Sequence, residues 1–367
     1  MSLPEYLQQH IAEETRFLRV PGEFALESGD VLHDVEIAYR TWGDPANAAE
    51  HAVLICHALT GSADVEAWWP NIIGKGRAFD PDRDYVICAN ILGSCYGTTG
   101  PVSPKPGTDT RYRADFPRVS VRDMVELERT LLDELGVRFL ELVTGPSLGG
   151  MQALEWALMY PDRVGSIVPI GVGGRHSAWC IGISEAQRAA IAADPNWNGG
   201  YYNDDATPDK GLAAARMMAI CTYRSAQSFD TRFGRERRDG GAYQVQSYLQ
   251  HQGEKINDRF DANTYVTLTQ AMHTHDLARG RGSYPEILAR VTQPALVVSV
   301  SSDVLYPPEE QRFLADHLPN SRYEILDCPH GHDGFLIETE TLGAMIARFR
   351  EQWSRNAPLR AVSSGSE

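Results

Sequence analysis

No stretch of this 367-residue chain stays apolar long enough to suggest a membrane span, and the opening Met1-Ser-Leu-Pro-Glu5 has no basic segment followed by an apolar one. Crossing lipid takes about 20 predominantly apolar residues, and a secretion signal needs both a basic and an apolar part. The expectation is therefore a cytoplasmic protein with no membrane partner. Cysteine is sparse as well. Cys56, Cys88, Cys95, Cys180, Cys221 and Cys328 are scattered without paired spacing, which speaks against a disulfide framework or a metal site and for free thiols in a reducing compartment. Basic residues are outnumbered, 34 Lys and Arg against 49 Asp and Glu, for a net charge of -15. Binding nucleic acid by charge needs clustered cations, so none is expected here, and a polyanionic substrate must find a local basic patch against the overall field. One further motif is missing. The Gly-rich run 92–101 has no Gly-Lys-Ser/Thr after it and opens no helix, so it is no phosphate-binding P-loop; a surface loop bordering a site is expected instead.

What is present is an ordinary globular composition, 43% hydrophobic and 23% charged, in a chain long enough for one large α/β domain with an insertion. Residues 1–30 carry little beyond an early amphipathic turn. Alternation over 35–41 predicts a strand with one wet face, while 51–56 and 85–90 are almost continuously apolar, as in central strands covered on both sides. Helical spacing over 120–135 follows, with Ser120 as cap and Gly136 as terminator. A further strand is predicted at 164–170. Strands alternating with helices at these lengths imply βαβ units and a mostly parallel sheet.

The alternation then stops. Helical segments at 184–193, 211–226, 242–252 and 263–272 are separated by Pro, Gly, Asn and Asp clusters. The sheet pattern resumes with strands at 294–300 and 322–326 and helices at 309–317 and 342–353. The predicted division is an α/β core over 1–173, a helical lid over 174–291, the rest of the core over 292–355 and a disordered tail over 356–367.

The chemistry centres on Gly145-Pro-Ser-Leu-Gly149, between a short apolar run and a helix former. Gly-x-Ser-x-Gly in strand-turn-helix context puts a serine on a tight turn with its hydroxyl above the sheet. A serine hydroxyl is a poor nucleophile until an oriented base takes its proton. The α/β-hydrolase chain order of Ser, acid and His is met by Ser147, Asp303 and His332. Asp303 follows a predicted strand end, although it also reads as a turn residue before Pro307. His330 is a rival base two residues from His332, and loop position alone does not separate them. His57 reads as a structural histidine at an oxyanion turn. His273 and His275 lack an acidic partner spaced to complete a metal site. The oxyanion of a tetrahedral intermediate needs two backbone donors, expected from Leu148, next to the nucleophile, and from Leu59, in the loop after an early strand.

Seven ordered motifs then carry a resemblance: His57-Ala-Leu-Thr-Gly61, Asn90-Ile-Leu-Gly-Ser-Cys-Tyr-Gly-Thr-Thr-Gly-Pro101, Phe116-Pro-Arg-Val-Ser-Val-Arg-Asp-Met124, Ser147-Leu-Gly-Gly-Met-Gln152, Thr222-Tyr-Arg-Ser225, Asp303-Val-Leu-Tyr-Pro307 and Gly331-His-Asp-Gly-Phe335. Over nearly its whole length the chain resembles the homoserine O-acetyltransferase family of α/β-hydrolase-fold acyltransferases. The resemblance implies Ser147, Asp303 and His332 as the triad and favours His332 over His330. It also implies Arg224 and Asp333 as contacts to the amino-acid acceptor, a guanidinium suiting its carboxylate and a carboxylate its ammonium. The implied reaction moves acetyl from acetyl-CoA, a co-substrate rather than a bound cofactor, to L-homoserine in methionine synthesis, and the implied assembly is a homodimer through the lid. Two departures stand out. Many relatives look like Gly-Gly-Ser-Met-Gly at the elbow, where this chain has Pro146 and Leu148. The run 177–188 looks more like a fungal branch that includes serine O-acetyltransferases, so serine as acceptor, succinyl as acyl group and plain esterase activity are the alternatives.

Overall fold

The computed structural model describes residues 3–356; apart from Asn356, the tail expected over 356–367 lies outside them. Among the described residues one sheet runs in the order β1-β2-β4-β3-β5-β6-β7-β8, with β1 Arg16–Ala25, β2 Val31–Trp42, β3 Ala52–Ile55, β4 Tyr85–Ala89, β5 Leu142–Pro146, β6 Ile167–Ile170, β7 Ala295–Val300 and β8 Ser321–Leu326. β1, β2 and β4 pair antiparallel, and from β4 to β8 every pairing is parallel. The chain therefore has the α/β-hydrolase architecture that its sequence predicts. Strands β3, β4, β5, β6 and β7 are buried along their whole length, because apolar layers cover both faces of the sheet. That double cover explains their unbroken apolar sequences.

β1 is the strand that sequence periodicity misses. Its register with β2 shifts between Val20 and Glu23, so Pro21 and Gly22 form a bulge, with Gly22 at φ +85°. A Pro-Gly pair reads locally as a break, yet an edge strand accommodates one as a bulge. The run 92–101 also departs from expectation, being buried rather than a surface loop. Its polar residues are spent inside: the Thr98 and Thr99 hydroxyls accept the N–H groups of Ala38 and Glu36 at 3.0 and 2.8 Å, so the loop completes the hydrogen bonding of β2.

The longer helices are α1 Val121–Glu134, α2 Leu148–Met159, α3 Ala178–Ala192, α4 Asp209–Tyr223, α5 Ala226–Phe233, α6 Gln244–Asn257, α7 Ala262–His273, α8 Pro308–His317 and α9 Thr339–Asn356. Ser120 caps α1 through a capping box with Asp123, and Gly136 follows its end at φ +72°. Helices α3 to α7 all lie between β6 and β7. The single helix expected over 211–226 is two. Ser225 accepts from the N–H of Ser228 and starts α5, which leaves Arg224 extended at φ -109°, ψ 151° between the helices.

α9 is tied to the sheet by Arg350, whose guanidinium makes two 2.8 Å bonds to the Asp84 carboxylate and one of 3.0 Å to Glu141. Burial alone raises the pKa of Asp84; the Arg350 and Arg83 bonds overcome that and hold it at about 2.

Candidate active site

Ser147 sits between β5 and α2 at φ 55°, ψ -120°, a left-handed conformation that non-Gly residues rarely adopt. Two contacts explain how the turn is held. A Cβ added to Gly145 or Gly149 would lie 2.3 or 2.0 Å from the carbonyl oxygen of Cys56, so only glycine lets the elbow close against the end of β3. The Ser147 N–H meanwhile donates to Ile170 O at 2.9 Å. This last ladder bond comes from the residue after Pro146, so proline at 146 is compatible with the strand end. Ser147 itself is buried, 6% exposed.

Leu148 is the first residue of α2, a position whose N–H has no intrahelical acceptor. The Cys56–Leu59 segment packs beside it: a Cβ on Gly149 would also meet His57 O at 3.3 Å. Leu59 is buried there, in a turn closed by Gly61 N–H to Ala58 O at 2.9 Å. His57 pins this turn. Its Nε2 accepts the Ile91 N–H at 3.2 Å and its Nδ1 lies 2.8 Å from Ala58 O, so the proton belongs on Nδ1. Complete burial lowers its pKa to about 4 despite the Ala58 bond, and the ring is neutral.

The acid and the base come together across the loops after β7 and β8. Nδ1 of His332 lies 2.6 Å from Oδ2 of Asp303, while Oδ1 of Asp303 accepts the N–H groups of Leu305 and Tyr306 at 2.8 and 3.0 Å. Both residues are buried. His330, the rival, faces Glu338 instead, at 3.4 Å. A Cβ on Gly171, just past the strand that anchors Ser147, would lie 3.5 Å from the His332 ring and 3.7 Å from Asp303 Oδ2. The elbow and the acid–base pair thus share the ends of neighbouring strands. Among the described residues no hydrogen bond joins Ser147 Oγ to His332, a link that often tightens only once substrate is bound.

Arg224 and Asp333 are also brought together, as an ion pair with Nε 3.1 Å from Oδ2. The backbone forces this approach: a Cβ on Gly331 would lie 2.7 Å from the Arg224 carbonyl carbon and the Ser225 nitrogen. Burial raises the Asp333 pKa and the Arg224 charge opposes it. The remaining histidines are occupied elsewhere. His275 Nε2 lies 2.9 Å from Gly173 O, and His273 Nε2 lies 3.4 Å from the Arg188 guanidinium. Among the described residues no group of three His, Cys, Asp or Glu side chains is placed to hold a metal ion.

Several neighbours of the site are not signalled by sequence pattern. The rings of Tyr306 and Tyr223 lie 5.3 and 5.8 Å from that of His332. Both belong to the seven motifs, so a signal exists without a role. Glu310 has none; burial, opposed by Ser177, pushes its carboxyl up to about 7. A closed cavity of about 20 Å³ lies under α3 and α4, lined by Leu59, His176, Ile183, Thr222, Tyr223 and Tyr306 among others. A buried serine, an imidazole braced by a carboxylate and backbone N–H groups at a helix start are the parts needed for acyl transfer through a covalent intermediate.

A family model described as the alpha/beta hydrolase fold matches residues 51–338. The homoserine O-acetyltransferase of Nostoc punctiforme is 55% identical over 346 residues, covering 93% of this chain and 97% of that protein. That of Chlorobaculum tepidum is 52% identical over 342 residues, 93% and 96% of the two chains. Among solved structures, esterase E22 superposes with a TM-score of 0.85 at 27% identity, over 92% of this chain and 99% of that one. The homoserine O-acetyltransferase of Staphylococcus aureus superposes with a TM-score of 0.74 at 27% identity, over 91% and 94%. No helix among the described residues is long and apolar enough to cross a membrane.

Proposed function

The chain belongs to the homoserine O-acetyltransferase family within the α/β-hydrolase fold, and from that premise we propose that it moves the acetyl group of acetyl-CoA to the hydroxyl of L-homoserine through an acyl-serine at Ser147. The observation that carries this reading is the 2.6 Å contact between His332 and Asp303 beside a serine held at a strained elbow.

His332 Nε2 takes the Ser147 proton as Oγ attacks the thioester carbonyl. The N–H groups of Leu59 and Leu148 receive the oxyanion, the C–S bond breaks, and CoA leaves as the thiol with the proton from His332. The acceptor hydroxyl then gives its proton to the same nitrogen and attacks the acyl-serine, and the returning proton regenerates Ser147. Asp303 fixes the tautomer that leaves Nε2 free to accept, and stabilises the imidazolium. Arg224 and Asp333 hold the acceptor by its two charges. Residues 174–291 act as a lid that keeps out water, the competing acceptor, and pair two subunits as a homodimer. Acetyl-CoA is consumed in each turnover rather than retained, and the reaction belongs in the cytoplasm, in methionine synthesis.

Two observations favour second readings. The run 177–188 supports serine as acceptor, and the likeness to esterase E22 supports hydrolysis. Homoserine and serine differ by one methylene, a difference typically worth about 1–3 kcal/mol. A thiol-release assay crossing acetyl-CoA and succinyl-CoA with homoserine and serine separates them. Acetyl-CoA alone should leave an acetyl adduct on the peptide holding Ser147, absent in Ser147→Ala; full transfer by that folded variant overturns the acyl-serine.

A further inference from the structure

Charge beneath α4 does not balance on the residues assigned so far. Asp303 and Asp333 bring two carboxylates to the His332 loop, and Arg224 supplies one guanidinium, already 3.1 Å from Asp333. An amino-acid acceptor adds a carboxylate of its own. Placing that anion in a partly desolvated pocket with a net negative surround is costly unless a further cation faces it.

Arg216 is such a cation. It lies seven residues before Tyr223 on α4, two turns away on the same face. Its guanidinium carbon lies 5.5 Å from the Tyr223 ring centroid, and that ring is 5.8 Å from His332. The side chain therefore runs towards the site, opposite to the N-terminal lean usual for helical side chains. Arg216 is partly buried, and among the described residues it has no ion pair and no hydrogen bond. A guanidinium that shares only an aromatic face keeps its N–H fork free for a planar anion. Its field also reaches Asp333, whose pKa it lowers against the effect of burial.

We infer that Arg216 is a specificity-determining residue that receives the carboxylate of the amino-acid acceptor, next to the Arg224–Asp333 pair. This rests on the acyl-serine reading above. Arg216 brings the local charges to two of each sign, so a zwitterion enters a neutral pocket, with Asp333 taking its ammonium. Arg224 then anchors Asp333 as well as facing the ligand.

The experiment edits enzyme and acceptor together. Wild-type protein is first shown to form the acetyl adduct on Ser147; absence of that adduct refutes the parent reading, separately from this one. Arg216→Gln, Arg216→Lys and wild type are then assayed with homoserine and with 3-aminopropan-1-ol, which lacks only the carboxylate. Arg216→Gln should lower kcat/KM for homoserine by about 10- to 100-fold, the size of a lost charge-assisted hydrogen bond, mainly through KM. It should leave the rate with 3-aminopropan-1-ol within about threefold, and Arg216→Lys should recover most of the preference for the carboxylate. Equal losses for both acceptors would make Arg216 merely structural, and a raised KM for acetyl-CoA alone would assign it to the donor's phosphates. Either result, or unchanged kinetics, overturns the inference.

Discussion

Asp303 meets His332 at 2.6 Å with one oxygen while two backbone N–H groups occupy the other. The carboxylate is thereby fixed in rotation, and its free direction points at one ring nitrogen only.

Replacing Asp303 by Asn tests that arrangement. An Asn oxygen can still accept from Leu305 and Tyr306, but its NH2 then faces His332 Nδ1 and selects the tautomer with Nε2 protonated. We expect kcat to fall by about 10⁴ with a near-normal melting temperature. A steady-state assay beside a thermal melt checks both, and a kcat within tenfold of wild type would remove Asp303 from its role.

At the elbow, Gly149→Ala puts a methyl group 2.0 Å from the Cys56 carbonyl oxygen. Backbone cannot yield as a flexible side chain does, so β3 and the start of α2 must separate. The expected outcome is a stability loss of about 1–3 kcal/mol and at least a hundredfold drop in acyl transfer, as the oxyanion donors lose their spacing. Denaturant titration and initial rates measure the two. An active, fully stable variant would show that the contact is not limiting.

The third prediction concerns a buried carboxyl behind the site. Glu128 accepts from Trp156 Nε1 at 2.6 Å through one oxygen, and its other oxygen has no partner. Burial pushes its pKa up to about 7 against those contacts. An acid whose folded pKa is raised is fully compatible with the fold below its unfolded value and weakens it as pH climbs through the folded value. Glu128→Gln keeps an acceptor for Trp156 and cannot ionise. Its stability advantage over wild type should therefore grow between about pH 4.5 and pH 8, reaching on the order of 2 kcal/mol. Melting curves across that range decide it, and a pH-independent difference would refute it.

Much of this molecule is legible in its residues because the parallel strands are covered on both faces and so written as continuous apolar runs, 52–55 and 295–300 among them. The serine turn is legible for a steric reason: nothing larger than glycine fits at 145 or 149. What is hidden depends on partners distant in the chain. Pro21 and Gly22 look like a break until β2 lies alongside, and Thr98 and Thr99 look solvated until their hydroxyls meet β2. The release of Arg224 from its helix is written locally in the capping Ser225, but no Gly or Pro marks it. Asp303 and His332 can be placed in order along the chain, whereas their contact, and the rings of Tyr223 and Tyr306 around it, arise only from the packed loops.

Arg350 gives the molecule a late step in its biosynthesis. Its two carboxylate partners lie at the entrances to β4 and β5, more than two hundred residues upstream. A nascent polypeptide still short of that arginine carries both anions without their counterion, so the inner strands can be locked only after translation has almost finished.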